Sequence, residues 1–258
     1  MQPLIICLVI SAIKININKS TDKIMKKVPF ILMAIICLLF INETSAQKSK
    51  IFKVDKFSGV ALRTSGHVYI KYGKENKVEV ESSEDVLERL DIYVEKGTLV
   101  IQFKNSSRNW NMRGDDPLTI NLTMSELNKL NISSSGFIRT ENKFKTDNLD
   151  LKISGSGKME IAADASEITA NISGSGNIRL KGSCDSFNPK ISGSGKIDAE
   201  EMESKSTTIT ISGSGNCTVN VSQSLEARVS GSGNIYYTGN PNNVNSNISG
   251  SGRIKKLK

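Results

Sequence analysis

The sequence predicts an all-β fold: a parallel β-helix (β-solenoid) with coils of about 19 residues and Gly-Ser-Gly corners. Three observations predict it. A five-residue phrase recurs through the second half of the chain, apolar residues alternate around it with a period of two, and aromatics supply only 5% of the 258 residues. A low aromatic share, with abundant Ser, Asn, Gly and β-branched residues, suits short strands and tight turns better than packed helices.

Taken in chain order, residues 1–24 come first, with an apolar stretch from Leu4 to Ile13. They are expected to be a mis-called start or an extended leader. Residues 25–46 carry the marks of a secretory signal peptide. Met25-Lys26-Lys27 is a basic opening, Val28 to Ile41 is apolar, and Thr44-Ser45-Ala46 offers small residues for cleavage between Ala46 and Gln47. The apolar run is shorter than the roughly 20 residues a spanning helix needs, so no stable membrane span is expected after cleavage. Cys37 follows the bulky Ile36 and sits inside the apolar run, which argues against a lipoprotein. An exported protein is the expectation: periplasmic, displayed on the outer cell surface, or secreted.

Cleavage removes five basic and two acidic residues, lowering the formal charge from +8 to +5. The remaining charges are mixed in sign along the chain, with no basic block to grip phosphates, so nucleic acid is not an expected partner. Cys184 and Cys217 remain after cleavage. They occupy different places in the repeat and are expected to be two small buried side chains rather than a bridge. Two cysteines and the single histidine, His67, do not make a usual zinc site, and no cofactor or metal is expected.

Residues 47–130 form a less regular unit, expected to be wider, irregular coils of the same solenoid. Val60, Leu62, Val68 and Ile70 alternate inward, as do Val78 and Val80, then Ile92, Val94, Leu99, Ile101 and Phe103. Ser65-Gly66-His67-Val68 aligns with Ser156-Gly157-Lys158-Met159. Glu84 to Leu90 is expected to form a helical turn or two, and the polar run Lys104 to Pro117 a projecting loop.

Residues 131–258 hold the regular repeat. The phrase begins at Ile153, Ile172, Ile191, Ile211, Val229 and Ile248, after a degenerate copy at Ile132; the spacings are 21, 19, 19, 20, 18 and 19. Self-similarity at a fixed period marks a solenoid, whose units bury their apolar face only by stacking. Leu149, Leu151, Ile153, Met159 and Ile161 alternate with Asp150, Lys152, Ser154, Lys158 and Glu160, and later copies keep that parity to Ile254. The structural turns are Gly155 and Gly157, Gly174 and Gly176, Gly193 and Gly195, Gly213 and Gly215, Gly231 and Gly233, and Gly250 and Gly252. By parity both glycines of each pair point inward, and glycine also tolerates positive φ there. Between the last inward residue of one full copy and the first of the next, the steps are 7, 7, 8, 6 and 7, so length changes should fall in the second corner. The charges of Arg253 to Lys258 are expected to blunt the last edge.

These features together resemble the putative auto-transporter adhesin, head GIN domain family. The resemblance rests on Phe57 to Val60, Ser65 to Val68, Leu99 to Phe103, Leu118 to Leu130 and the string of glycine-serine phrases, and covers roughly residues 51–254. It implies an exported β-helix with a role in cell adhesion and no catalytic residues.

Among candidate sites, catalytic acids would have to cluster, whereas Asp150, Glu160, Asp164, Asp185 and Asp198 are scattered over different repeat positions. Calcium-binding nonapeptide solenoids place an aspartate two residues after the second glycine; Met159, Ile178, Ile197, Cys217, Ile235 and Ile254 stand there instead. Serine ladders are expected along Ser154 and Ser156 and their counterparts, beside a row from Lys158 to Arg253. Small polar residues suit a tight corner, and the same stripe also offers a regular surface to a glycan. Trp110, flanked by Arg108 and Arg113, is the candidate glycan contact, because an indole stacks on a sugar ring; the alternative is that it folds back to plug the side of the solenoid. The expected function is a non-catalytic adhesion or binding module of the cell envelope, its partner a surface glycan or another envelope component. A purely structural envelope protein and a carbohydrate-active β-helix enzyme are the competing classes. The pattern sets no oligomeric state.

Overall fold

The computed structural model describes residues 48–104 and 117–257. Its strands are β1 (Lys48–Phe52), β2 (Gly59–Leu62), β3 (His67–Tyr72) and β4 (Lys77–Ser82), then the short helix α1 (Glu84–Arg89). β5 (Leu90–Glu95), β6 (Thr98–Phe103), β7 (Thr119–Met124), β8 (Lys129–Ile132) and β9 (Phe137–Thr140) follow. The repeats supply five long strands: β10 (Phe144–Gly155), β11 (Lys158–Gly174), β12 (Asn177–Gly193), β13 (Lys196–Gly213) and β14 (Asn216–Gly231). β15 (Asn234–Thr238), β16 (Asn243–Ser249) and β17 (Arg253–Lys256) complete the chain.

Each long strand leaves one Gly-Ser-Gly corner, bends, and returns to the next. Its neighbour lies parallel to it along nearly its whole length, through the bend as well: β11 and β12 pair from Lys158↔Asn177 to Gly174↔Gly193. The β-solenoid read from the repeat is the observed fold. Corners are tied to corners. The Ser175 N–H donates to the Gly155 carbonyl at 3.0 Å and the Asn177 N–H to the Gly157 carbonyl at 3.0 Å, and the same two bonds recur in later coils.

The two glycines of a corner do different work, and here the parity argument needs correcting. Only the second is buried: Gly157, Gly176, Gly195, Gly215 and Gly233 face the core, whereas the first of each pair is half-exposed. A Cβ on Gly195 would sit 2.6 Å from Ile172 Cγ2 and 2.8 Å from the Gly176 oxygen, both one coil back. The first glycine is needed for its backbone. Gly193 takes φ of 121°, and a Cβ there would lie 2.6 Å from the Gly174 carbonyl oxygen.

Inward residues form ladders. Leu62, Ile132, Ile153, Ile172, Ile191, Ile211 and Val229 lie in register on successive coils, and all are buried. One continuous apolar cluster runs from Phe57 to Ile235. Length changes fall in the second corner as expected. Between β12 and β13 the pairing offset passes from 19 at Arg179↔Asp198 to 20 at Lys181↔Glu201, and between β13 and β14 from 20 at Ala199↔Val219 through 17 at Glu203↔Asn220 to 18 at Ser206↔Ser224.

The first half departs from the expected chain-order stacking. β2 lies between β6 and β8, and β3 lies between β7 and β9, all parallel. The coil made of β2 and β3 therefore sits inside the one made of β6 and β7, although it precedes it in sequence. Antiparallel strands close that end: β5 pairs with β6, and β4 pairs with β7 and then with β1. The β5–β6 hairpin turns on Lys96 (φ 49°) and Gly97 (φ 72°), the two positive values a type I′ turn requires. Val86 and Leu87 of α1 are buried.

At the other end the charges of Arg253, Lys255 and Lys256 guard only β17. β16, Asn243 to Ser249, carries no charge, and its Val244 and Ile248 remain 46% and 42% exposed, because the last coil is covered on one side only. Among the described residues no helix is long and apolar enough to cross a membrane. Cys184 and Cys217 are both free and buried, in different columns. Burial, with Asp185 nearby, pushes the Cys184 thiol up to about 12; burial and Asp198 raise that of Cys217 as well.

Two measurements check these packing arguments. Gly195→Ala should lower the melting temperature by at least about 4 °C, the equivalent of 1–2 kcal/mol of overpacking. Ser194→Ala, at the exposed tip of the same corner, should move it by less than about 2 °C. Equal effects at the two positions would contradict the interlock. Neither Cys184 nor Cys217 should react with a thiol reagent at pH 8 in folded protein lacking residues 1–46, and both should react in denaturant. Fast labelling of the folded protein would contradict their burial.

Candidate binding face

After each corner the strand presents two outward side chains, and in-register stacking turns these into columns. The first column runs His67, Phe137, Lys158, Asn177, Lys196, Asn216, Asn234 and Arg253. The second runs Tyr69, Arg139, Glu160, Arg179, Asp198, Thr218, Tyr236 and Lys255. The expected row from Lys158 to Arg253 is therefore real, and so is the ladder Ser154, Ser173, Ser192, Ser212, Ser230 and Ser249.

The acids of this face are engaged by cations. Glu160 accepts from Lys158 at 2.6 Å and from Arg139 Nε at 2.8 Å; the Lys158 hydrogen bond chiefly holds its carboxyl below the usual range, against partial burial. Asp198 pairs with Arg179 at 3.4 Å and Lys196 at 3.7 Å. Arg179 stands in register between Glu160 and Asp198, so these two acids do not converge. Near the bend, Asp185 pairs with Lys205 at 2.7 Å. Burial of Asp164 opposes its charge, yet hydrogen bonds from Lys143 and Ser183 still keep its carboxyl below the usual range. A shallow open groove of about 660 Å³ crosses this bend, lined by Asn128, Asp147, Asp164, Ser166 and Ser183 among others. Among the described residues no three His, Cys, Asp or Glu side chains are placed to hold a metal ion.

The sequence reading missed one feature, an aromatic cluster on the outer surface. Phe137 of β9 stands edge-on to His67 (5.7 Å between ring centroids, 87°) and to Tyr69 (6.2 Å, 76°), both of β3. The Arg139 guanidinium lies 5.3 Å and the Lys158 ammonium 5.6 Å from the Phe137 ring centre. Parity alone marks Phe137 as outward, at the place where later coils put Lys, Asn or Arg. The neighbouring histidine and tyrosine come from β3, 68 to 70 residues away in sequence, and only the unusual strand order brings them beside it.

Trp110, Arg108 and Arg113 lie outside the described residues, as do Ala46 and Gln47 at the expected cleavage point.

Comparison with known proteins places this architecture. Residues 56–241 match the family model described as "Putative auto-transporter adhesin, head GIN domain". A solved structure from Bacteroides fragilis, described as a putative adhesin, is 23% identical with a TM-score of 0.74, covering 83% of this chain and 98% of that one. A Parabacteroides distasonis protein described as a putative lipid binding protein is 24% identical with a TM-score of 0.68, at the same coverages. A second P. distasonis protein, described as a putative adhesin, is 21% identical with a TM-score of 0.67, again covering 83% and 98%. At such identities the structural likeness shows the fold. No curated protein matches the chain. Family and neighbours alike are described as adhesins or binding proteins rather than enzymes. With 186 matched residues spanning most of the solenoid, the chain belongs to the putative auto-transporter adhesin, head GIN domain family.

Proposed function

We propose that the protein is an exported, non-catalytic adhesion module of the cell envelope that holds its target against the outer face of the solenoid. The observation that carries this reading is the cluster of His67, Tyr69 and Phe137. Outward positions of the later coils hold mainly amides, hydroxyls and charges, and aromatic surface left on such a face costs hydration unless a partner covers it. Aromatic rings rimmed by cations offer both stacking and charge to a sugar or an envelope component. The ion-paired acids support a binding role over hydrolysis, which needs two carboxyl groups facing one substrate.

Beads coated with the protein test this reading on a glycan array and on isolated envelope polysaccharide. Retention above that of beads coated with an unrelated protein is expected, with no shortening of any glycan. Phe137→Asn places at this position the residue the same column uses at Asn177, Asn216 and Asn234. It should cut retention at least tenfold while lowering the melting temperature by no more than about 6 °C. Background retention on every surface would favour the purely structural role, and shortened glycan would favour the enzyme.

A further inference from the structure

Over four successive coils the corner ridge carries a charge pattern with a period of two coils. On its pre-corner flank the outward residues in register are Lys152, Asn171, Lys190, Thr210, Arg228 and Asn247. On the post-corner flank Lys158, Asn177, Lys196 and Asn216 occupy the same coils as the first four of these. These four coils therefore alternate between a lysine on both flanks and a neutral residue on both: Lys152 with Lys158, Asn171 with Asn177, Lys190 with Lys196, Thr210 with Asn216; the next two, Arg228 with Asn234 and Asn247 with Arg253, carry one cation each. Neither column carries an acid. Between them, in each of the four coils, lie one buried aliphatic residue and otherwise only serines and glycines, which leave the ridge low and open.

The two flanks differ in how their cations are engaged. Lys158 and Lys196 are shared with Glu160 and Asp198. Lys152 and Lys190 are exposed and make no ion pair among the described residues. They also line one shallow groove of about 360 Å³ together with Asn171, Ser173, Ser192 and one acid, Asp150. Lys152 and Lys190 stand about 10 Å apart along the solenoid axis, two strand spacings.

We propose that this groove binds an acidic polysaccharide laid lengthwise along the ridge, with one carboxylate per disaccharide. Successive carboxylates then meet Lys152 and Lys190, and the intervening neutral sugar meets the amide of Asn171 and the serine hydroxyls. A chain with a charge on every residue would bring its middle carboxylate to a coil that has no cation. The inference goes beyond the aromatic cluster to a second place on the solenoid, names a ligand class for it, and rests on the adhesion reading.

Hyaluronan oligosaccharides, which alternate a uronic acid with a neutral amino sugar, are the probe. Poly-L-glutamate supplies charge without sugar, and dextran supplies sugar without charge. The full solenoid should bind hyaluronan, weaken as salt rises, and bind the other two at least tenfold less tightly. Lys152→Gln with Lys190→Gln should reduce hyaluronan affinity at least tenfold with an unchanged melting temperature. Lys145→Gln with Lys181→Gln removes the same net charge elsewhere and should leave affinity within twofold. Equal binding of poly-L-glutamate, binding of dextran, or equal loss in both double variants would overturn the proposal. So would absence of hyaluronan binding. If the coated beads are still retained on another glycan in that case, the adhesion reading stands and only this ligand class falls.

Discussion

The structure depends on a steric interlock between neighbouring coils. The second glycine of each corner lies where a Cβ would meet the β-branched methyl of the coil before it: Gly157 on Ile132, Gly176 on Ile153, Gly195 on Ile172, Gly215 on Ile191 and Gly233 on Ile211. Isoleucine supplies the methyl and glycine the space. With that contact made, the carbonyls and amides of successive corners fall into hydrogen-bonding distance. The register of both flanking strands is then set without further instruction, because a slip of one residue would turn every buried side chain outward.

A fixed register has a consequence for the surface. Identical positions in successive coils become straight columns one strand spacing apart, so any regularity in the sequence becomes regularity in space. The ion pairs from Arg139 to Asp198 and the alternation of Lys152, Asn171 and Lys190 are both products of this geometry. A surface of this kind suits an extended, repeating target more than a small molecule, for which a pocket with convergent polar groups is the usual solution. Surface ion pairs of this sort contribute little to stability; they engage Lys158 and Lys196 and leave Lys152 and Lys190 outside any ion pair among the described residues.

The repeat half was legible because its signals are local. The period of two named the inward residues from Leu149 to Ile235, and the constant spacing around the glycines located the rigid corner and the variable one. The same parity placed Cys217 inside; Cys184 lies in the second corner, where parity gives no direction. The differing duties of the two glycines were not legible, since φ and the approach of the coil behind depend on atoms outside the phrase. The order of coils in the first half was hidden for a similar reason. Alternation in Gly59–Leu62 and His67–Tyr72 reveals strands but not their neighbours, and those neighbours lie up to 70 residues away. The β5–β6 hairpin is only half legible, because Gly97 suits a two-residue turn whereas Lys96 is not among the residues that favour its first position. The aromatic cluster follows from the strand order, so it was out of reach for the same reason.

Distances between spin labels on the post-corner face test the stacking most directly. One label replaces Arg253, and the second replaces either His67 or Thr119, which share a column on adjacent coils. The account places Thr119 one coil farther from Arg253 than His67, so its distance should be longer by about 5 Å, the reverse of their order in the chain. A shorter distance from Thr119 than from His67 would contradict the interleaved stack.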